Sequence, residues 1–252
     1  TESSVVSVNG VKYLKTGTID QPILAKKGDG IGIDWGYLYV ADFNGKVSLD
    51  SYNNIINGFM AKGDLNCGQQ LVRAYKQNDT PVLAYVHNFG KVDQQPQASF
   101  SLIGYDEVED IEYMYQRYKA YWAHGGKVDI FDAFNKLNRN YKSIMERCRA
   151  MDKQIYDDAL KVGNAHYAEI LSGSYRHVLA AHKLFEDNEG HLLYFSKENN
   201  SNGCVNTVDL TYPSAPLFLA YNPELQKAMM TSIFEYSRSG RWTKPFAAHD
   251  LG

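Results

Sequence analysis

The sequence lacks several features that would assign a function directly. Only three cysteines occur among 252 residues, Cys67, Cys148 and Cys204, and their wide spacing matches neither a metal-binding motif nor a disulfide scaffold. No apolar run approaches the ~20 residues that a transmembrane helix needs. The formal net charge of −3 provides no basic field for nucleic acid. We therefore predict neither a membrane partner nor a nucleic-acid partner.

Common catalytic signatures are also absent. The chain has no GxSxG elbow, HExxH pair, CxxC pair or P-loop, which argues against serine-elbow hydrolases, zinc peptidases and NTPases. Cys204, which follows Gly203, is a nucleophile candidate with His249 as its partner, although cysteine is more often buried packing. These patterns predict no metal and no cofactor.

Apolar and aromatic residues are plentiful. The hydrophobic fraction of 44% supports a real core, and tyrosine is abundant at 19 residues. An excess of tyrosine is more often half-buried packing than function. The alternative is a ring-lined cleft that binds sugars or amides.

Residues 1–105 have the patterns of β structure. Short alternating stretches at 5–14, 19–25, 31–41, 80–89 and 98–105 are separated by turn residues, as in a sandwich. Asn44-Gly45 is a strong hairpin signal. The stretch 65–76 fits either a helix or a strand, because periodicity does not decide between them.

Helical periodicity begins near residue 106. An acidic first turn and apolar residues at helical spacing predict a linker helix over 106–125. Further helical runs cover 129–161, 162–184 and 223–239, the last with Asn222 as N-cap and Pro223 at the first helical position. The run 129–161 is either one helix or two helices with a break near Met151-Asp152. The sequence therefore predicts an α+β protein of two units, β first and helical afterwards.

The stretch 194–252 carries the candidate chemistry. Glu198, Asp209 and Asp250 each lie beside turn residues, aromatics or amides, as acid/base carboxylates do in a polar pocket. We take all three as catalytic candidates. The structural alternatives are a plain Asn- and Gly-rich loop around Glu198, and helix capping by an Asp209 that is partly buried among apolar neighbours.

Polar and aromatic residues near these carboxylates are candidates for substrate binding. His249 either orients Asp250 or contacts substrate, and Asp34 with Trp35 either satisfies a turn or reaches the same cleft. The predicted substrate-binding residues are Asn199, Asn202, Tyr212, Trp242, His249, Asp34 and Trp35.

Several stretches resemble the glutaminase A family of fungi and Bacteroidetes-type bacteria. They are IDWGYLYVA (33–41), PVLAYVHNFGKV (81–92), IGYDEVEDIEY (103–113), YFSKENNSNGCVNTVDLTYPSAPLFLAYNPEL (194–225) and GRWTKPFAAHDLG (240–252). The resemblance implies a β-sandwich followed by an all-α (α/α)6 toroid of the six-hairpin glycosidase type. Residues 1–105 would then be the C-terminal part of the sandwich, 106–125 the linker helix and 126–252 the N-terminal part of the toroid.

The resemblance implies a hydrolase that converts glutamine to glutamate and ammonia. More distantly, NTVDLTYPS and HDLG resemble the carboxylate segments of some retaining β-glucosidases of the (α/α)6 type. Carried over by motif, Asp250 would be the proton donor, and Glu198 or Asp209 would hold substrate or act as the second carboxylate. A non-catalytic carbohydrate-binding fragment is the third alternative.

The resemblance also sets expectations about partners and location. A small polar substrate, either glutamine or a carbohydrate, and the remainder of the same polypeptide are the expected partners, in a secreted or periplasmic protein. A further carboxylate would lie beyond Gly252, so the chain alone would be inactive. Missing helices would uncover apolar helix faces such as Leu217-Phe218-Leu219 and Met229-Met230 and would favour oligomers.

Overall fold

A computed structural model describes residues 1–26, 32–63, 65, 68–74, 80–197 and 203–251. The chain divides into two units. The first comprises Thr1–Ile23, Ile33–Val108 and Ile130–Asn138, and the second comprises Leu24–Gly32, Glu109–Asp129 and Arg139–Gly252. Sheets and helices both contribute, which confirms the predicted α+β class.

The first unit is built on a five-stranded antiparallel sheet. Its elements are β1 (Glu2–Val8), β2 (Val11–Gly17), β3 (Tyr37–Ala41), β4 (Lys46–Ser51), α1 (Tyr52–Lys62), β5 (Leu71–Arg73), β6 (Pro81–Val86) and β7 (Leu102–Asp106). The sheet has the order β5-β1-β2-β3-β7, while β4 and β6 form a separate antiparallel pair. The undecided stretch 65–76 therefore contributes a strand, β5.

Two Asn-Gly dipeptides of this unit have different structures. Asn9 and Gly10 have φ angles of 50° and 82° and form the two-residue turn between β1 and β2. Asn44-Gly45 connects β3 to β4, which pair with other strands, so the predicted hairpin is wrong. There the Asp42 carboxylate accepts hydrogen bonds from the backbone N–H groups of Asn44 and Gly45, at 2.9 and 2.8 Å.

Local side-chain bonding explains a second wrong prediction. No strand forms in the described part of 19–25. Gln21 there donates to the Thr18 carbonyl at 2.8 Å and accepts from the Gly36 N–H at 2.6 Å. Such bonds compete with a strand ladder for the same backbone groups.

The helix α1 was not predicted. Its asparagines and its internal glycine are weak helix formers, so propensity does not reveal it. It ends where Gly63 adopts the left-handed conformation and donates its N–H to the Phe59 carbonyl at 2.7 Å.

The core of the first unit is centred on Tyr13, which is fully buried. Its ring centroid lies 4.8 Å from that of Phe131 and 6.0 Å from that of Phe134, at the start of α2 (Ile130–Leu160). Burying such a ring contributes about 2 kcal/mol. A Cβ at Gly104 of β7 would lie 2.8 Å from the Phe134 ring, so the helix packs closely only over glycine.

The second unit combines helices with two β-hairpins. Its remaining elements are β8 (Ile111–Tyr113), β9 (Gln116–Tyr118), a 3-10 helix (Tyr121–Gly126), α3 (Ala165–Ala180), β10 (His182–Glu186), β11 (Leu192–Ser196), α4 (Val208–Tyr221) and α5 (Pro223–Arg238). The strands β10 and β11 show that the part from 126 to 252 is not all-α, contrary to the prediction.

The predicted linker helix over 106–125 is also wrong. Along β8, Ile111 is buried, Glu112 is exposed and Tyr113 is buried, which is the two-residue period of a strand. Met114 and Tyr115 have φ angles of 52° and 66° and make the turn to β9 without glycine. Ile and Tyr favour strands, and packing against a neighbouring hairpin overrides the apparent helical spacing.

The remaining helices follow the predictions closely. The predicted run 129–161 is confirmed as the single helix α2, and 162–184 is right only as far as Ala180, where α3 ends. The Asn222 side chain caps α5 by accepting from the Leu225 N–H at 3.4 Å. No described helix is long and apolar enough to cross a bilayer.

Two of the five apolar residues that we expected to be uncovered are fully buried, and two more are partly buried. Phe218 of α4 and Met229 of α5 are both fully buried, in a cluster with Tyr194 and Ala228. Leu219 remains 61% exposed. The hairpin strand β11, which the helical prediction missed, supplies part of this cover.

Helix α4 contains two prolines, Pro213 and Pro216. Thr207 is its N-cap residue, and Asp209 lies in its first turn. The Ser214 hydroxyl donates to the Leu210 carbonyl at 2.9 Å. The helix therefore begins at the segment that carries Asp209.

Candidate functional site

Three predicted site residues meet at the start of α4. His249 Nδ1 lies 2.9 Å from Asp250 Oδ2, and His249 Nε2 lies 3.6 Å from Asp209 Oδ1. Cys204 joins them, because donor atoms of Cys204, His249 and Asp250 all lie within 4.8 Å of one another. The site thus brings together a thiol, an imidazole and two carboxylates.

Backbone pairing holds the two chain segments of the site together. The Leu251 N–H donates to the Val205 carbonyl at 3.0 Å, and the Val208 N–H donates to the His249 carbonyl at 2.8 Å. Leu251 also packs against the cluster of buried residues that includes Phe195. The His249-Asp250 segment is therefore fixed on both sides.

Asn206 anchors the segment between these two hydrogen bonds. It is fully buried, with a φ of 52° that asparagine tolerates better than most residues. Its Nδ2 donates to the Ser232 hydroxyl at 2.7 Å and to the Met229 carbonyl at 3.0 Å. In the sequence, Asn206 is only one of several asparagines in this segment. Its anchoring role was not predictable, because the residues that it contacts lie on α5, far along the chain.

The two carboxylates differ in exposure. The Asp209 side chain is 69% exposed, so the prediction that it is partly buried is wrong. It lies in the first turn of α4, where a carboxylate can face solvent and still interact favourably with the helix dipole. The Asp250 side chain is only 23% exposed.

Both carboxylates favour a protonated imidazole between them. The hydrogen bond to Asp250 is the main cause that raises the pKa of His249; desolvation, the next largest effect, opposes it, and the charges of Asp209 and Asp250 add to the rise. The imidazolium can donate a proton, and Asp209 can accept one from solvent. This arrangement is suited to general acid–base chemistry.

Two other predicted residues lie on the surface of the same unit. Tyr212 is 82% exposed and lies three residues after Asp209, on the same face of α4. Trp242 donates its indole N–H to the Phe246 carbonyl. Substrate binding by Tyr212 and Trp242 stays a prediction.

The remaining predicted residues lie either outside the described residues or in the first unit. Glu198, Asn199 and Asn202 lie outside the described residues. Asp34 and Trp35 belong to the first unit, where Trp35 is buried and its carbonyl accepts from the Tyr105 hydroxyl. Their roles in substrate binding stay predictions.

The first unit contains a separate cluster of one serine, one histidine and one aspartate. His87 Nε2 lies 2.6 Å from Asp42 Oδ2 and 3.2 Å from the Ser99 hydroxyl. A catalytic triad uses opposite ring nitrogens for the acid and the nucleophile, whereas one nitrogen serves both here. We therefore interpret this group as structural.

A groove of about 690 Å³ lies between α2 and α3. Its charged lining includes two ion pairs, Arg176 with Asp152 and Lys153 with Asp157. None of the predicted site residues that the structure describes lines it. We assign no function to this groove.

Comparisons with known proteins cover almost the whole chain. The family model described as "Domain of unknown function (DUF5127)" matches residues 1–158, and that described as "Glutaminase A six helical-hairpin domain" matches residues 164–252. Glutaminase A of Aspergillus oryzae is 29% identical over 260 residues, which cover 98% of this chain. The chain belongs to the glutaminase A family.

The glutaminase A relatives are considerably longer than this chain, which covers 36% of the length of the Aspergillus protein. An Arthroderma benhamiae protein named "Probable glutaminase" is 33% identical over 99 residues, which are 39% of this chain and 11% of that protein. No solved structure matches the chain. Asp209, His249 and Asp250 all lie in the part that matches the six helical-hairpin domain.

Proposed function

We propose that this chain carries part of a hydrolytic site that releases ammonia from the side-chain amide of glutamine. The observation that carries the proposal is His249 held between Asp250, at 2.9 Å, and Asp209, at 3.6 Å. Membership of the glutaminase A family supports glutamine as the substrate.

The proposed chemistry uses the imidazole as the acid. Amide nitrogen leaves poorly unless it is protonated, so His249 donates its proton to the departing nitrogen as the C–N bond breaks. Asp209, which is open to solvent, takes a proton from the attacking water as the new C–O bond forms. Asp250 keeps the imidazole oriented through its hydrogen bond to Nδ1.

Ammonia release from L-glutamine tests the proposal. The chain is assayed alone and within the longest natural polypeptide that contains it. We expect Asp250→Asn and His249→Gln to lower kcat by about 10²–10⁴-fold. His191→Gln is the matched control, because His191 forms a similar ion pair with Asp187 at 3.0 Å outside this site. Full activity in His249→Gln would overturn the proposal.

Glycoside hydrolysis is the second candidate. Two carboxylates that share one imidazole fit a chemistry that needs an acid and a second carboxylate, with Asp250 as the proton donor. Turnover of aryl glycosides that is lost in Asp250→Asn, without ammonia release, would replace the glutaminase proposal. A chain whose melting temperature responds to neither substrate class would be a non-catalytic module.

The proposal extends to fold and location. We propose that residues 1–105 are part of a β-sandwich and that residues 126–252 are part of an (α/α)6 toroid. The antiparallel sheet of the first unit supports the sandwich, and the match of residues 164–252 to a six helical-hairpin domain supports the toroid over that part of the chain. We also propose a secreted or periplasmic location, which cell fractionation tests directly.

A further inference from the structure

We propose that Cys204, His249 and Asp209 bind one divalent transition-metal ion of the Zn²⁺ type, with Asp250 orienting the imidazole of His249. Thiolate, imidazole and carboxylate are the ligand classes that zinc prefers. Donor atoms of Cys204, His249 and Asp250 lie within 4.8 Å of one another. Sequence spacing predicted no metal, because the ligands come from two distant segments that only the fold brings together.

The distances indicate different roles for the two carboxylates, Asp209 and Asp250. Zinc bonds of about 2.0–2.3 Å in a tetrahedral arrangement place neighbouring ligand atoms roughly 3.3–3.8 Å apart. His249 Nε2 and Asp209 Oδ1, at 3.6 Å, fall within that range and beyond an ordinary hydrogen bond. Asp250 Oδ2, at 2.9 Å from Nδ1, lies at hydrogen-bond distance and orients the imidazole, as carboxylates do behind metal-binding histidines.

The scaffold around these residues is already ordered. Two backbone hydrogen bonds join the segments, and buried Asn206 fixes the chain between them. Preorganised ligands lose little conformational entropy on binding an ion. The side chains of Asp209 and His249 are 69% and 63% exposed, which provides an entry path from solvent.

Metal binding bears on the proposed reaction but does not depend on it. With Zn²⁺ bound, His249 and Asp209 would hold the ion instead of transferring protons, and the ion would lower the pKa of a coordinated water that serves as the nucleophile. That consequence rests on the proposed glutaminase function. The binding itself is measured without substrate.

The direct test is Zn²⁺ titration of the chelator-treated 252-residue chain by calorimetry. We expect one site, with affinity lowered at least 100-fold in Cys204→Ser and His249→Gln. Asp250→Asn is expected to weaken binding about 10–100-fold, as other residues that orient a ligand do. Cys148→Ser is the matched control, because Cys148 is an exposed cysteine outside the cluster. Unchanged affinity in Cys204→Ser would overturn the proposal.

A second measurement needs no variant and so does not depend on variants that fold. Zn²⁺ should slow alkylation of Cys204 by iodoacetamide at least about tenfold, since a metal-bound thiolate is a poorer nucleophile. Alkylation of Cys148 should not change. Equal rates at Cys204 with and without Zn²⁺ would contradict the site.

The two proposals fail in different ways. Zn²⁺ binding without ammonia release from glutamine would remove the glutaminase function and leave the metal site. Ammonia release that persists after chelation, in a protein that binds no Zn²⁺, would remove the metal site and leave the function.

Discussion

A buried carboxylate stabilises the turn that follows β3. Burial alone would raise the pKa of Asp42, but hydrogen bonds from Asn44, His87, Ser101 and Gly45 outweigh it and lower the pKa below its usual value. A carboxylate with a lowered folded-state pKa stabilises the fold above its unfolded pKa of about 4. That contribution is lost as the pH falls through the lowered folded-state value.

We therefore expect Asp42→Asn to destabilise the first unit by about 2 kcal/mol at pH 7, since hydrogen bonds to a charged group are lost. The variant should also lose stability less steeply than the native chain below pH ~4, because it has no proton to take up at this position. Urea unfolding at several pH values measures both effects. Asp93→Asn, at an exposed turn, is the control, and an unchanged acid slope in Asp42→Asn would contradict the expectation.

Gly10 and Gly36 have similar backbone conformations, but only Gly36 lacks space for a Cβ. Substituting each with alanine therefore separates the free-energy cost of backbone strain from that of a steric clash. Gly36 and Gly10 have φ angles of 85° and 82°. A Cβ at Gly36 would lie 2.7 Å from the Asp106 carbonyl oxygen, whereas a Cβ at Gly10 would meet nothing within 4 Å. We expect Gly10→Ala to cost about 1 kcal/mol and Gly36→Ala about 3 kcal/mol or more in urea unfolding. Equal costs would show that the strand ends move apart easily.

At the scale of elements, Asn206 links α5 to the chain segment that bears the candidate site. Asn206→Gly keeps the left-handed backbone but removes the hydrogen bonds to Ser232 and Met229. Asn206→Ala removes the same bonds and adds backbone strain. We expect losses in the free energy of unfolding of about 2 kcal/mol for Gly and about 3 kcal/mol for Ala.

Both Asn206 variants should also weaken Zn²⁺ binding while leaving the ligands in place. Calorimetry at a temperature where each variant is folded measures this effect separately from stability. Zn²⁺ affinity that is unchanged in both variants would show that Asn206 supports the fold alone.

Asp110 joins the β8–β9 hairpin to the rest of its unit. It is buried, accepts from the Ala120 N–H at 2.7 Å and lies 3.1 Å from Lys183 Nζ. We expect Asp110→Ala to cost about 2 kcal/mol, because a buried N–H and a partly buried ammonium both lose their partner. Glu112→Ala, which removes only an exposed ion pair with Arg117, should cost less than about 0.5 kcal/mol. Similar costs for the two variants in urea unfolding would contradict this assignment.

Elements with local signals were predictable. The start of α5 is encoded by an N-cap asparagine followed by proline, and both act within one helical turn. The β8–β9 hairpin was not predictable, because Met114 and Tyr115 form its turn without glycine. The Asn44-Gly45 turn was not predictable for a similar reason. Asp42, which binds this turn, is itself held by His87 and Ser101, which are distant in the sequence.

At the scale of the whole molecule, the candidate site was predictable in its members but not in its geometry. The residues Asp209, His249 and Asp250 could be selected from polar, turn-rich segments. Their meeting depends on hydrogen bonds between Leu251 and Val205 and between Val208 and His249, which no local pattern encodes. Cys204 was a weak nucleophile candidate, and only its position among the other donors suggests a metal ligand.

Metal binding should also be visible in the stability of one unit. Zn²⁺ at 100 times its dissociation constant stabilises the state that binds it by about 2.7 kcal/mol. Hydrogen exchange with and without Zn²⁺ should therefore slow in the described part of 203–251 and remain unchanged in β1–β3. Equal slowing in both units would point to nonspecific binding.

The two prolines of α4 have a consequence for the kind of molecule that its surface attracts. Proline has no N–H, so Pro213 and Pro216 leave the carbonyl groups of Asp209 and Tyr212 without their usual helical donor. Both carbonyls belong to residues with exposed side chains beside His249 or one turn away. The helix therefore presents backbone acceptors together with a carboxylate. Such a surface favours ligands that carry hydrogen-bond donors, such as primary amides, ammonium groups and sugar hydroxyls, over ligands that carry only acceptors.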